Sequence, residues 1–486
     1  MPIELKHVTF TYDLLDTPLF QGVSLTLDTS WRLGLVGRNG RGKTTLLKLF
    51  MQQLAYEGDI FTDNEFVYFP LPIANPELPV YLAIDAVFPT EQWKLERECQ
   101  LLGMDKGILW QPFSQLSGGE QTRVMLAALF CEENRFALLD EPTNHLDGNG
   151  RSQLATYLQK KRGYIVVSHD RHFLDSVIDH VLAIERSQVV LYHANFSTYE
   201  AQKAHQDHFE LDQNHALKSE ITRIEKSARE KFNWGLEREK PSGNDPFGNA
   251  VAKRMMKRGK AIEKRNNAKT EEKKKLLKNI EKIDDLTIQV LTSHRNPVMR
   301  VKDFTASYGN TPLFEPVSFE LYQGEQLALV GPNGSGKTTL MNHFQTKDAR
   351  TYQTGEIIMP QGLSISHVTQ TATHSGTLDA FADTHGIDYT LFLNNLRILG
   401  FTRDVFQVPI EAMSEGQKKK VEFAKSLGTS AELYLWDEPL NYLDIYNQQP
   451  IEKMIATYHP TLLFIEHDLA FVERVATRVV ELKPIH

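Results

Sequence analysis

The chain has 486 residues, of which 41% are hydrophobic and 24% charged, with a formal net charge of -8. At roughly 100 to 200 residues per domain, this length implies two or three domains, each able to bury a core. No apolar stretch approaches the ~20 residues that a membrane-spanning helix requires, which argues against an integral membrane protein.

The first residues, Met-Pro-Ile-Glu-Leu-Lys-His, lack the basic region and apolar run of a secretory signal, and Cys99 and Cys131 are the only cysteines. A reducing cytoplasm is therefore expected. Next along the chain, Leu33 to Val36 predicts a short strand that runs into Gly37-Arg-Asn-Gly-Arg-Gly-Lys-Thr-Thr45. The pattern recurs after Leu327 to Val330 as Gly331-Pro-Asn-Gly-Ser-Gly-Lys-Thr-Thr339. Both match G-x-x-x-x-G-K-[ST] in the strand-to-helix setting of a P-loop. Gly37, Gly40, Gly42, Gly331, Gly334 and Gly336 let backbone N–H groups wrap a phosphate, with Asn39, Thr45, Asn333 and Thr339 in the same two loops. Lys43 and Lys337 are placed to neutralise the β and γ phosphates, and Thr44 and Thr338 to ligate Mg²⁺.

Other landmarks repeat in order. Phe136-Ala-Leu-Leu-Asp-Glu141 and Leu433-Tyr-Leu-Trp-Asp-Glu438 are buried-strand runs that end in two acids. Asp140 and Asp437 can reach Mg²⁺, and Glu141 and Glu438 suit the polarising of an attacking water, since phosphoryl transfer needs chiefly in-line positioning and charge stabilisation. His169 and His467 follow further apolar strands and can contact a γ-phosphate. Ser117 lies 23 residues before Asp140, and Ser414 also lies 23 before Asp437. From Asp140 to His169 is 29 residues, and from Asp437 to His467 is 30. A single acidic pair or histidine would suit an ordinary turn; the repeated spacing favours a site.

The middle of the chain differs from both repeats. Residues 200 to 232 and 251 to 290 contain no proline and favour strong helix formers, which predicts two long helices. Leu217, Ile221, Ile224 and Ala228 form one apolar stripe, and Leu276, Ile280 and Ile283 another. The helices are expected to pair as a hairpin, with its turn within 235 to 249 and about 50 Å from the repeats. Residues 201 to 300 hold 23 Lys and Arg against 15 Asp and Glu, so this segment is basic within an acidic chain. Such concentration marks nucleic-acid partners.

Leu116-Ser-Gly-Gly-Glu-Gln121 and Met413-Ser-Glu-Gly-Gln417 resemble the signature motif of ABC ATPases. The resemblance implies an α/β fold with two P-loop cassettes packed head to tail, two ATP molecules and two Mg²⁺ ions. Lys43, Thr44, Asp140, Glu141 and His169 would share one ATP with Ser414 and Gly416. Lys337, Thr338, Asp437, Glu438 and His467 would share the other with Ser117 and Gly119. Tyr12 and Tyr308 stand where the family stacks an aromatic on adenine, although strand packing would place them there equally well. The family also has a glutamine after the P-loop at a strand end. Gln370 fits, as a further Mg²⁺ ligand, whereas the first cassette has Leu71. Leu71 and the substituted signature residue Glu415 fall on the same ATP, so the Lys43 site is expected to turn over more slowly.

As a whole the chain resembles the ABC-F translation factors, and most closely their antibiotic-resistance members of the Lsa type, through Gly37 to Thr45, Asn195-Phe-Ser-Thr-Tyr-Glu200, Met413 to Gln417 and Trp436-Asp-Glu-Pro-Leu-Asn-Tyr-Leu-Asp444. It implies cassettes at 1–200 and 298–486 and a tRNA-interaction hairpin at 201–297. It also implies a cytoplasmic monomer, with its cassettes paired intramolecularly, that enters the ribosome's tRNA exit site with ATP bound. There it would meet ribosomal RNA and the peptidyl-site tRNA. Lys253, Arg254, Lys257, Arg258 and Lys260 would contact phosphates, and Trp234 and Phe247 would either stack on RNA or pack the hairpin end. The expected outcome is protection from lincosamides, streptogramin A and pleuromutilins. A housekeeping factor for stalled ribosomes and the energy subunit of a transporter are the alternatives.

Overall fold

A computed structural model of the protein describes residues 2–12, 17–132, 135–144, 146–185, 188–237, 285–308, 311–345, 351–369, 374–403, 405–441 and 443–485. The chain forms two compact units, Met1–Ser197 with Ile283–His486, and Thr198–Lys282.

The first unit holds both cassettes. In the first cassette the chain passes through β1 (Ile3–Phe10), β2 (Phe20–Leu27), β3 (Arg32–Val36), α1 (Lys43–Phe50), β4 (Glu57–Phe61), β5 (Glu65–Phe69), α2 (Val80–Asp85) and α3 (Gln92–Leu101). It continues through α4 (Gly118–Leu129), β6 (Arg135–Asp140), α5 (Gly148–Gln159), β7 (Tyr164–Val167), α6 (Arg171–Val177), β8 (His180–Glu185) and β9 (Gln188–Tyr192). The long helix α7 (Phe196–Glu237) follows. The second cassette begins with β10 (Met299–Tyr308), β11 (Thr311–Pro312), β12 (Val317–Leu321), β13 (Gln326–Val330), α8 (Lys337–His343), β14 (Thr351–Ile358) and β15 (Ile365–Val368). It ends with α9 (Leu378–Thr384), α10 (Tyr389–Ile398), α11 (Glu415–Gly428), β16 (Leu433–Asp437), α12 (Ile445–Tyr458), β17 (Leu462–Ile465), α13 (Leu469–Val475) and β18 (Arg478–Glu481).

Each cassette pairs a parallel sheet with a small antiparallel one. The strand order is β5-β6-β7-β3-β8-β9 in the first, parallel except for the last pair, and β15-β16-β17-β13-β18 in the second, parallel throughout. Strands covered on both faces need apolar residues at every position. Phe136 to Leu139 and Leu433 to Trp436 meet that need and are fully buried. Alternate residues of β16 serve different cores. Leu433 and Leu435 pack towards the antiparallel sheet, and Tyr434 and Trp436 pack among the helices.

The linker expectations need two corrections. Helix α7 runs through Gly235, where a turn was expected, to Glu237; one glycine costs a helix only about 1 kcal/mol. The segment from Asp285 to Val290 is extended, not the end of a second helix. Leu286 and Ile288 alternate into the second cassette's core, and Gln289 N and Leu291 N donate to Leu427 O at 3.1 Å and Ala431 O at 2.8 Å. Burial of that pair outweighs a composition that favours helix. Helix α7 spans 42 residues, all but Phe196 and Ser197 in the second unit, with Ile221 buried and Leu217 half-buried, as their stripe predicts. Among the described residues no helix is long and apolar enough to cross a membrane.

Candidate functional site

Both P-loops leave a central parallel strand and close on a helix through a left-handed glycine, Gly42 at φ 94° and Gly336 at φ 83°. A Cβ would meet Leu19 at 2.7 Å in the first loop and Phe314 at 2.8 Å in the second, so any side chain would push the loop off its bed. Lys43 Nζ donates to Gly37 O at 2.7 Å and to Asn39 Oδ1 at 3.1 Å. Lys337 Nζ donates to Gly331 O at 2.8 Å and Pro332 O at 2.9 Å. Burial lowers the pKa of both ammonium groups, the mark of cations held in a pocket that an anion would complete.

The acids stand opposite. Thr44 Oγ1 donates to Asp140 Oδ2 at 2.9 Å, and the Thr338 hydroxyl bonds Asp437. Asp437 Oδ1 is buried with no hydrogen-bond partner among the described residues. A bare buried carboxylate oxygen beside a threonine hydroxyl fits a hard divalent cation, which prefers oxygen ligands. Thr44 and Asp140 in one cassette, and Thr338 and Asp437 in the other, would hold Mg²⁺, which when bound would neutralise phosphate charge.

Glu141 and Glu438 both adopt left-handed backbone, φ 54° and 48°, a strain of ~1 to 3 kcal/mol each of the kind that collects at functional sites. Their N–H groups are anchored to Val167 O at 2.9 Å and Ile465 O at 3.0 Å. His169 Nε2 lies 3.1 Å from Glu141 Oε1, and His467 Nε2 lies 3.3 Å from Glu438 Oε1. The electrostatics differ. Burial raises Glu141, and burial with nearby Lys43 and Lys420 lowers His169 to about 3. Burial also pushes Glu438 upward, but His467, Asn441 and Lys419 outweigh it and hold its carboxyl below the usual range.

The two cassettes meet head to tail around one cavity of about 1310 Å³, lined by Lys43, Thr44, Asp140, Glu141 and His169 with Ser117 and Gly119, and by Lys337, Thr338, Glu438 and His467 with Ser414 and Gly416. Each signature serine caps its helix in a reciprocal capping box, with Glu120 or with Gln417. Glu415 is exposed among the residues that line the cavity and pairs with Lys418 at 2.9 Å. Two aspartates that sequence reasoning missed join the halves. Asp147 Oδ1 caps α5 and its Oδ2 accepts from Asn333 N at 3.4 Å. Asp444 Oδ1 caps α12 and its Oδ2 accepts from Asn39 N at 2.8 Å. Both follow Leu in matching places of the repeat, a signal that aligning the halves would have revealed.

The half around Lys43 has further ties. Arg171, 4% exposed, donates to Ile445 O at 3.0 Å and lies 3.5 Å from Glu452. Gln448 Nε2 donates to His169 O at 3.2 Å and to Asp468 Oδ2 at 3.1 Å. Where the first cassette has Arg171 after His169-Asp170, the second has Leu469, 49% exposed.

Tyr12 is 42% exposed, shares a 2.8 Å hydrogen bond with the Thr45 hydroxyl and meets Phe10 edge-on. Tyr308 ends β10, opposite Thr311. Leu71 is buried. Trp234 lies on α7, whereas Gln370, Phe247, Lys253, Arg254, Lys257, Arg258 and Lys260 fall outside the described residues.

Paired P-loops, acids, switch histidines and signature serines around one cleft define a tandem ABC ATPase. The profile of the ABC transporter family matches residues 20–144 and 314–441. The ATP-binding protein YdiF of Bacillus subtilis is 30% identical over 96% of this chain and 78% of its own length. The ribosome protection protein VmlR of Bacillus subtilis is 28% identical over 96% of this chain and 84% of its own. An archaeal ribosome recycling factor, aABCE1, superposes with a TM-score of 0.61 at 19% identity, covering 98% of this chain and 87% of that one, a likeness of fold. The chain belongs to the ABC-F family, with two ATP-binding cassettes in one polypeptide.

Proposed function

We propose that this protein is a ribosome protection factor of the Lsa type: it binds the tRNA exit site with two ATP and two Mg²⁺ held between its cassettes, and hydrolysis releases it. The observation that carries the reading is the head-to-tail closure, in which Asp444 of the second cassette touches the P-loop of the first and Asp147 of the first touches that of the second. Such a closure lets nucleotide act as the glue between halves, in a chain that is 28% identical to a protein named for ribosome protection. The segment 201–297 serves as the RNA-binding element, with Trp234, Phe247 and the basic run from Lys253 to Lys260 as its RNA contacts. Glu141 and Glu438 orient water, and His169 and His467 attend the γ-phosphate.

The test has two parts. Glu141→Gln with Glu438→Gln should trap the protein on ribosomes in ATP, more weakly as salt rises, and the intact gene should raise lincosamide tolerance. Ribosome binding with unchanged drug tolerance would leave the housekeeping reading. Copurification with membranes alone would favour a transporter subunit and overturn the proposal.

A further inference from the structure

The first cassette has no glutamine where the second has Gln370, but it has a group the second lacks. Tyr68, on β5, points its hydroxyl along the sheet to the end of the neighbouring strand and donates to Asp140 Oδ2 at 2.9 Å. That oxygen also accepts from Thr44, so Asp140 is held between the P-loop threonine and the tyrosine. In β15 the same place opposite the acid-bearing strand falls to His367, since Tyr68 pairs with Leu138 and His367 with Leu435. No hydrogen bond joins His367 to Asp437, whose Oδ1 is bare.

We propose that Tyr68 is a positioning residue for the divalent cation of the first nucleotide site, its hydroxyl fixing the Asp140 carboxylate where Leu71 leaves no polar group beside the metal. The proposal rests on the reading of Thr44 and Asp140 as that site. A carboxylate at a strand end rotates freely unless held, and each free torsion costs affinity when an ion must stop it. Tyrosine suits the task. Its ring has two torsions and is itself packed beside the core of the first cassette. A phenol carries its proton at physiological pH, so the hydroxyl is available as a donor. Thr44 spends its one proton on Asp140 and keeps its lone pairs for a cation. The device is confined to one cassette and would make the two sites bind metal by different rules.

Mn²⁺ titration followed by electron paramagnetic resonance, in saturating non-hydrolysable ATP analogue, reads the two sites apart. The intact protein should bind two ions. Tyr68→Phe should weaken one of them about tenfold, the low end for removing a group that orients a metal ligand, leave the other unchanged and keep the melting temperature. His367→Phe should weaken neither. Two ions bound with unchanged affinity in Tyr68→Phe, or tighter binding, would overturn the role of Tyr68. Equal weakening at both sites with a lower melting temperature would overturn it too, in favour of a fold contact. An intact protein that binds no Mn²⁺ with nucleotide would overturn the site reading itself.

Discussion

Each cassette leaves one acid oxygen buried without a hydrogen-bond partner among the described residues, but not the same one: Glu141 Oε1 in the first and Asp437 Oδ1 in the second. Asp140 carries bonds from Thr44 and Tyr68, while Asp437 keeps a buried oxygen without a partner among the described residues. Where the first cassette has Thr122 in α4, the second has Lys419 in α11, whose ammonium donates to Thr369 O at 2.8 Å and Asp437 O at 3.2 Å. The signature helix of the second cassette is thereby tied to its own acidic strand. Two cassettes with one plan have thus settled their catalytic ends by different contacts, and equal chemistry at the two is not expected.

The largest effect should come from the paired glutamates. On the proposed reading, in which Leu71 and Glu415 both fall on the Lys43 site and Glu438 orients the attacking water, Glu438→Gln should remove nearly all ATP turnover, about 100-fold. Glu141→Gln should cost less than about twofold in steady-state phosphate release. Equal losses would break the comparison.

A smaller effect should follow from the tie at Arg171. Arg171→Leu copies the second cassette's residue and should cost closure about 2 kcal/mol, modest for a charge pair because Glu452 keeps Arg474 at 3.3 Å. The ATP concentration that closes the cassettes, followed by energy transfer between fluorophores on each, should rise about thirtyfold. Leu469→Arg should not tighten closure, since Ala155 stands where the other half has Glu452. A gain from Leu469→Arg would refute the one-sided tie.

The smallest concerns Glu466, which replaces Ser168 of the first cassette. Its carboxylate accepts from Leu440 N at 2.7 Å and His467 N at 3.1 Å, yet burial, with Glu438 and Asp468 nearby, pushes its pKa up to about 8. The folded protein then holds a proton that the unfolded chain releases near pH 4.5. Stability contributed by this group is complete below that value and falls as pH rises to about 8. Glu466→Gln should flatten the decline in melting temperature across this range; an unaltered slope would place the proton elsewhere.

Much of the nucleotide site was legible because its chemistry demands particular residues in consecutive order: glycines before Lys43, an acid pair after a buried strand, serine before a helix. The residues missed act across the fold. Tyr68 stands 72 positions from Asp140 and Arg171 stands 274 from Ile445, and nothing local in either neighbourhood announces the partner. Asp285 to Val290 reads as helix in the sequence for the opposite reason. Its helix-forming neighbours spoke louder than the alternation of Leu286 and Ile288, whose burial shows only once the second cassette is in place.

Arg171, Gln448 and Asp444 all join the halves beside Lys43. Against them the Lys337 side shows the tie of Asn333 N to Asp147 at 3.4 Å, so the two margins of the joint are unequally fastened. Nucleotide held at either margin would then sit on a joint of different stiffness. Opening should therefore begin beside Lys337, where one long hydrogen bond stands against several shorter ones beside Lys43.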